Sequence, residues 1–135
     1  MTYIKGYFAK VVKYLEDNGA ADLLPVKFYR AYTKEIYEDN KAGAYEDYKA
    51  IEKRIDDGEY ISVGDIFYYR YLCIRGEELD GNKKEDREIM LDLANKGLKY
   101  NDEHYGLLDY KAWLLRKDGK NSEALDVYAK IQEIY

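Results

Sequence analysis

The chain has 135 residues, 47% of them hydrophobic and 36% charged, with a formal net charge of −5. That length gives one domain with a real core, and the composition excludes both disorder and membrane embedding. Apolar runs of only a few residues exclude a spanning helix, and the lysines threaded through MTYIKGYFAKVVKYLEDNG argue against a secretory signal.

Cys73 is the single cysteine, so no internal disulfide forms, which fits a reducing cytoplasm. Seventeen Tyr stand against three Phe and one Trp. Tyrosine combines bulk with a polar tip and suits half-buried borders as well as interfaces. Charge is uneven: residues 1–34 carry net +3, residues 35–60 net −5 and residues 61–135 net −3. No dense basic patch exists to displace counterions from a phosphate backbone, so direct nucleic-acid binding is not expected and a basic partner fits better.

One Pro and ten Gly leave long segments free for helices. The first helix is expected from Tyr3 to about Asp17, with Ile4, Phe8, Val11 or Val12 and Leu15 at helical spacing and Gly19 as its stop. The second opens near Pro25 and runs through Val26, Tyr29, Tyr32 and Ile36 to about Asp39. Asn40 to Gly43 reads as a turn, and the third helix carries Ala44, Tyr48, Ile51 and Ile55 as far as Gly58. Ser62 with Asp65 is a capping pair for a fourth helix, IFYYRYLCIRGEEL, and Asn82 with Glu85 a similar pair for a fifth that ends near Tyr100. A sixth helix follows Asp102 and stops at Gly119, and Asn121 or Ser122 caps a seventh that runs to the C-terminus. No segment alternates with period two for long, so the expected class is all-α with about seven helices.

The chain also overlays on itself. Ile66–Arg75 lies over Leu107–Arg116 at an offset of 41, and Met90, Ala94 and Gly97 fall on Ala124, Tyr128 and Ile131 at an offset of 34. The difference is a longer turn between the fourth and fifth helices. KDGKNSEALDVYAKI, with turn Gly119, small Ala124 and aromatic Tyr128, resembles the second half of a tetratricopeptide repeat. NKGLKYND, with small Gly97, is similar to the end of one, and Ala112 holds the small position of a first helix. The longer turn after Leu79 is similar to the Sel-type subclass. The pattern is departed from at Leu108, where a large aromatic is usual, and at Lys111, where a leucine is usual.

This resemblance covers residues 61–135 well and 25–60 loosely. It implies a stack of antiparallel helix pairs within residues 1–135. The parts are a capping helix (1–18), a weak repeat (25–58) and two fuller ones (62–100 and 103–135). It also implies a concave groove lined by first helices that holds a peptide or another protein's helix.

Helical wheels at about 100° per residue place Lys111 in the middle of an apolar arc of Leu107, Leu108, Tyr110, Ala112, Leu114 and Leu115. Arg70 falls at the centre of a similar arc built from Ile66, Phe67, Tyr69, Tyr71, Cys73 and Ile74. Two explanations stand for these cations: snorkelling along the core rim, or an ion pair with Glu88, Asp92 or Asp126 that fixes packing register. Trp113 lies in the charged arc with Asp109, Arg116 and Lys117, and its counterpart Leu72 lies near Tyr68 and Arg75. These seven residues are the candidate partner-binding face, since an aromatic flanked by Arg is the composition of a binding hot spot. The alternative is contact of Trp113 and Leu72 with a neighbouring repeat.

No catalytic constellation is found. His104 stands alone, Cys73 reads as a core thiol, and the acidic runs Glu77-Glu78-Asp80 and Asp56-Asp57-Glu59 lie at helix ends. Asp102 and Glu103 are expected to cap the sixth helix. The expectation is therefore a non-enzymatic, cytoplasmic, protein- or peptide-binding adaptor with no cofactor, metal or membrane partner. The alternative is a small acidic decoy that occupies a basic nucleic-acid-binding protein.

Overall fold

The computed structural model describes the backbone of residues 2–135 and the side chains of residues 6, 7 and 9–135. The expectations at Ile4 and Phe8 lie outside the described side chains. Among the described residues there are seven α-helices and no strand: α1 Thr2–Leu15, α2 Leu24–Ile36, α3 Lys41–Asp56, α4 Gly64–Glu78, α5 Lys84–Tyr100, α6 Tyr105–Lys117 and α7 Asn121–Ile134. The helices group into two compact units, residues 1–62 and 63–135. Among the described residues no helix is long and apolar enough to cross a membrane.

In the first unit, α1 runs into a wide π-type turn, Glu16–Ala20, where Gly19 takes φ +87°. That left-handed conformation is nearly free only for glycine, so the helix ends where the sequence places its stop. α2 then packs between α1 and α3 and buries two opposite faces. Leu24, Phe28, Ala31 and Glu35 fall on one face, and Val26 and Thr33 on the other.

The stripe expected on α2 is only partly the core. Val26 is buried, Tyr29 and Tyr32 are half-buried, and Ile36 is 42% exposed. The face toward α3 escapes a hydrophobic reading because it carries a carboxylate. Tyr48 Oη donates to Glu35 Oε1 at 2.8 Å, so the buried acid has a partner. The Tyr48 ring also stacks on Phe28 with centroids 6.0 Å apart.

Asn40 does not lie in a free turn. Its side chain accepts the Gly43 N–H at 2.9 Å and caps α3, which starts at Lys41. The other end of α3 is clamped by Arg54. Its Nε and Nη2 donate to the two Glu59 oxygens at 2.9 and 2.7 Å, and Nη1 donates to the Asp22 carbonyl at 2.8 Å.

The second unit is a run of helices in which α4 packs on α5, α5 on α6 and α6 on α7, each joined by a short turn. Short turns between packed helices make these hairpins. Gly97 lies at the crossing: a Cβ there would stand 2.6 Å from Leu107 Cδ1 and 3.0 Å from Tyr68 Cβ. The expected small residue at a close crossing is thus where the repeat spacing puts it, with α4 on one side and α6 on the other.

The expected caps differ. Neither Ser62 nor Asn82 bonds a helix N-terminus, and Lys120 precedes α7 without a side-chain bond. At α6 the cap is His104, whose Nδ1 accepts the Leu107 N–H at 3.2 Å, in place of Asp102 or Glu103. The imidazole of the residue that directly follows the acidic pair reaches the free N–H, and Asn101 Oδ1 instead accepts the Glu103 N–H.

Candidate functional site

The roll of α6 decides which side chains are left for a partner. Gly106 abuts the Tyr69 ring and Tyr110 Oη abuts Gly76, so this side of α6 faces α4. Leu107 meets Gly97 of α5, and Leu108, Ala112 and Leu115 complete the buried arc. Asp109, Trp113 and Arg116 lie off that buried arc. With Tyr110 and Tyr128 of α7 they line one open pocket of about 430 Å³. A second opening of about 200 Å³ shares Arg116 and Tyr128 and adds Asn121, Ala124 and Leu125.

Trp113 is held from one side. The indole lies against the α4–α5 turn, where a Cβ on Gly81 would stand 2.8 Å from its Cη2. It meets Tyr110 edge-on at 6.0 Å, and Lys117 Nζ lies 5.8 Å from its ring centre. The turn beneath it is rigidly bonded. Asp86 accepts the Asp80 N–H at 2.7 Å, Asp80 accepts the Asn82 N–H at 2.9 Å, and Lys117 donates to Asn82 Oδ1 at 3.2 Å. Arg87 donates to the Gly81 carbonyl at 3.1 Å and pairs with Asp118 at the end of α6. The α4–α5 turn, residues 79–83, is therefore a platform for the tryptophan. At two residues more than the α6–α7 turn, 118–120, it does not by itself account for the difference between the two repeat offsets. Trp113 is half-buried, with one edge against the turn of the preceding hairpin and another part of its surface on the pocket.

Tyr68 and Leu72 do not join this surface. They are 1% and 0% exposed, and Tyr68 packs on Tyr100 with ring centroids 6.1 Å apart. Their assignment to a binding face fails because α4 is apolar nearly all round. Hydrophobic periodicity gives such a helix almost no direction. The roll that buries Phe67, Tyr71 and Ile74 also buries Tyr68 and Leu72 and turns Ile66 outward at 40% exposure. Arg75 is half-buried over the Tyr71 ring at 5.8 Å, away from the pocket.

The same roll corrects the arc drawn around Arg70. Buried positions lie on either side of Gly64 and Tyr71, and Arg70 stands at their border, over the Tyr69 ring at 5.8 Å. Lys111 does sit amid the buried arc of α6. It is half-exposed and makes no ion pair among the described residues, and Asp92 pairs instead with Lys96 at 3.3 Å. Lys111 therefore snorkels: the stem covers the core and the ammonium reaches water.

Two pocket residues were not singled out from the sequence. Tyr110 counted as core and Tyr128 as the aromatic of a repeat, and both are half-buried with a surface on the opening. Burial raises the Tyr110 phenol above its usual pKa, with Cys73 and Tyr69 adding to the effect. The phenol stays protonated at neutral pH, and its Oη donates to Met90 Sδ at 3.8 Å.

Chemically, the pocket offers aromatic walls, one guanidinium and one carboxylate. Arg116 and Asp109 have no ion-pair partner among the described residues. Comparison with family models, curated proteins and solved structures finds no match.

Proposed function

We propose that the chain is a tetratricopeptide-like repeat module that binds a protein or peptide segment in the pocket between α6 and α7. The observation that carries this reading is the chemistry of that opening. Three aromatic side chains and two charges without an ion-pair partner among the described residues share one concavity of about 430 Å³. Pockets of a few hundred Å³ with aromatic walls and a few placed polar groups are typical binding sites. Aromatic and Arg side chains carry most of the energy of such contacts. The hairpins of the second unit, with Gly97 at their crossing, support the repeat reading.

The test is selection of a random twelve-residue peptide library on the full chain. Selected peptides should shift the emission of Trp113, the one indole present. Arg116→Ala and Tyr128→Ala should keep the helical circular dichroism spectrum and weaken binding by about 1–2 kcal/mol each. Peptides that bind these variants as well as the wild type would end the pocket assignment. Selection of Lys/Arg-rich peptides alone, independent of Tyr128, would favour the acidic decoy.

A further inference from the structure

The placement of charge around the pocket narrows the ligand, on the premise that this pocket binds a peptide. Asp109 and Arg116 are seven residues apart on α6. Two helical turns separate them by about 10 Å along the axis. Both are exposed, and neither is neutralised by a neighbour among the described residues. Between them, Tyr110, Trp113 and Tyr128 form the walls. Beyond Arg116 the smaller opening offers Ala124 and Leu125, the latter 67% exposed.

We propose that this site selects an extended peptide segment that carries a cation and an anion about three residues apart, with an aromatic or apolar side chain between them. The cation meets Asp109 and the anion meets Arg116. The intervening side chain enters the walls of Trp113 and Tyr128, and a small apolar residue past the anion covers Leu125. Extension follows from size. A strand advances about 3.3 Å per residue, so three residues span the distance between the charges. A helix needs seven residues to cover it and is about 10–12 Å across, too wide for an opening of about 430 Å³ to enclose. A segment whose two charges have the same sign leaves one of them against its like, which costs affinity directly.

Peptides selected on the wild-type chain supply the probes. The expected sequences share a Lys or Arg and an Asp or Glu at that spacing, and bind at least tenfold more weakly when the acid is changed to Lys. Arg116→Glu should reverse the preference by about tenfold, weakening the original peptide and restoring binding of its acid-to-Lys version. Asp109→Lys should do the same for the version in which the cation becomes Glu. Each reversal leaves the buried face of α6 untouched, so loss of fold is not an expected explanation, and circular dichroism checks it.

Selected peptides that depend on Tyr128 but show no charge spacing, or that bind both reversal variants alike, would overturn the inference and leave peptide binding standing. Absence of any Tyr128-dependent peptide would instead remove the reading beneath it.

Discussion

The two units use glycine in opposite ways. In residues 1–62, Gly6, Gly19 and Gly58 have no atom of the described residues within 4 Å of the place a side chain would take, and Gly43 meets only its own cap, Asn40. In residues 63–135, five glycines each seat a large side chain: Gly64 takes Tyr100, Gly76 takes Tyr110, Gly81 takes Trp113, Gly97 takes Leu107 and Gly106 takes Tyr69. The first unit is registered by polar clamps, among them Lys34 with Asp47 at 2.8 Å and Arg54 with Glu59 at 2.7 Å. The second adds to its own polar bonds, Arg87 with Asp118 among them, four rings and a leucine set against bare backbone. A seat admits no added methyl without movement, whereas an exposed ion pair is worth little alone. Precision is thus concentrated in the unit that carries the pocket, and two of the five seated side chains, Tyr110 and Trp113, line it.

The comparison breaks most sharply at Gly97. Leucine there would drive four carbons into Leu107 and the Tyr68 backbone side of α4. Overpacking of a close crossing costs about 3 kcal/mol, so the chemical-denaturation midpoint should fall by a large fraction of the whole. An unchanged midpoint would show that α4, α5 and α6 do not meet at this residue.

A paired measurement sharpens it. Gly97→Ala and Gly6→Ala are the same chemical change in two helix interiors, and each gains about 0.5–1 kcal/mol of helix propensity. At Gly6 the methyl meets no described residue within 4 Å, so the full gain should appear as higher stability. At Gly97 the 2.6 and 3.0 Å approaches should outweigh it, for a net loss of about 1–2 kcal/mol. Equal signs in the two variants would refute the seat interpretation.

How far the sequence revealed this depends on the residue. The all-α class, Gly19 and Gly119 as stops and Gly97 at a crossing were legible, because each follows from local spacing or from an allowed φ. Asp109, Trp113 and Arg116 were legible as one face because α6 has a clear polar arc, and the structure brings those three together at one opening. Tyr68 and Leu72 were misread because an apolar helix has no polar arc to orient it. Tyr128 was missed because its place on the pocket depends on the packing of α7 against α6, a distance no periodicity encodes. The Arg87–Asp118 pair was invisible for the same reason: its partners are 31 residues apart and meet only where α5 packs on α6.

The smallest expected effect tests the clamps of the first unit by pH. Hydrogen bonds from Arg54, before any other cause, hold the Glu59 carboxyl below the usual carboxylate range. The same contact raises Arg54. A carboxylate with a lowered folded pKa stabilises the fold at pH values above its unfolded pKa. That contribution is lost as pH falls through the folded pKa. Because the unfolded value for Glu is about 4.3, the contribution should be whole above pH of about 5 and fade below about 4. Glu59 is solvent-exposed, so the effect is small and screened by salt. Thermal melts of the wild type and Glu59→Gln from pH 7 to pH 3 should therefore show a constant offset at the high end that closes at the low end. High salt should shrink the offset, and the Arg54 bond to the Asp22 carbonyl should survive in both proteins. An offset that persists to pH 3 would mean that Glu59 acts through packing and not through its charge, and the contrast between a clamped unit and a seated one would lose its electrostatic half.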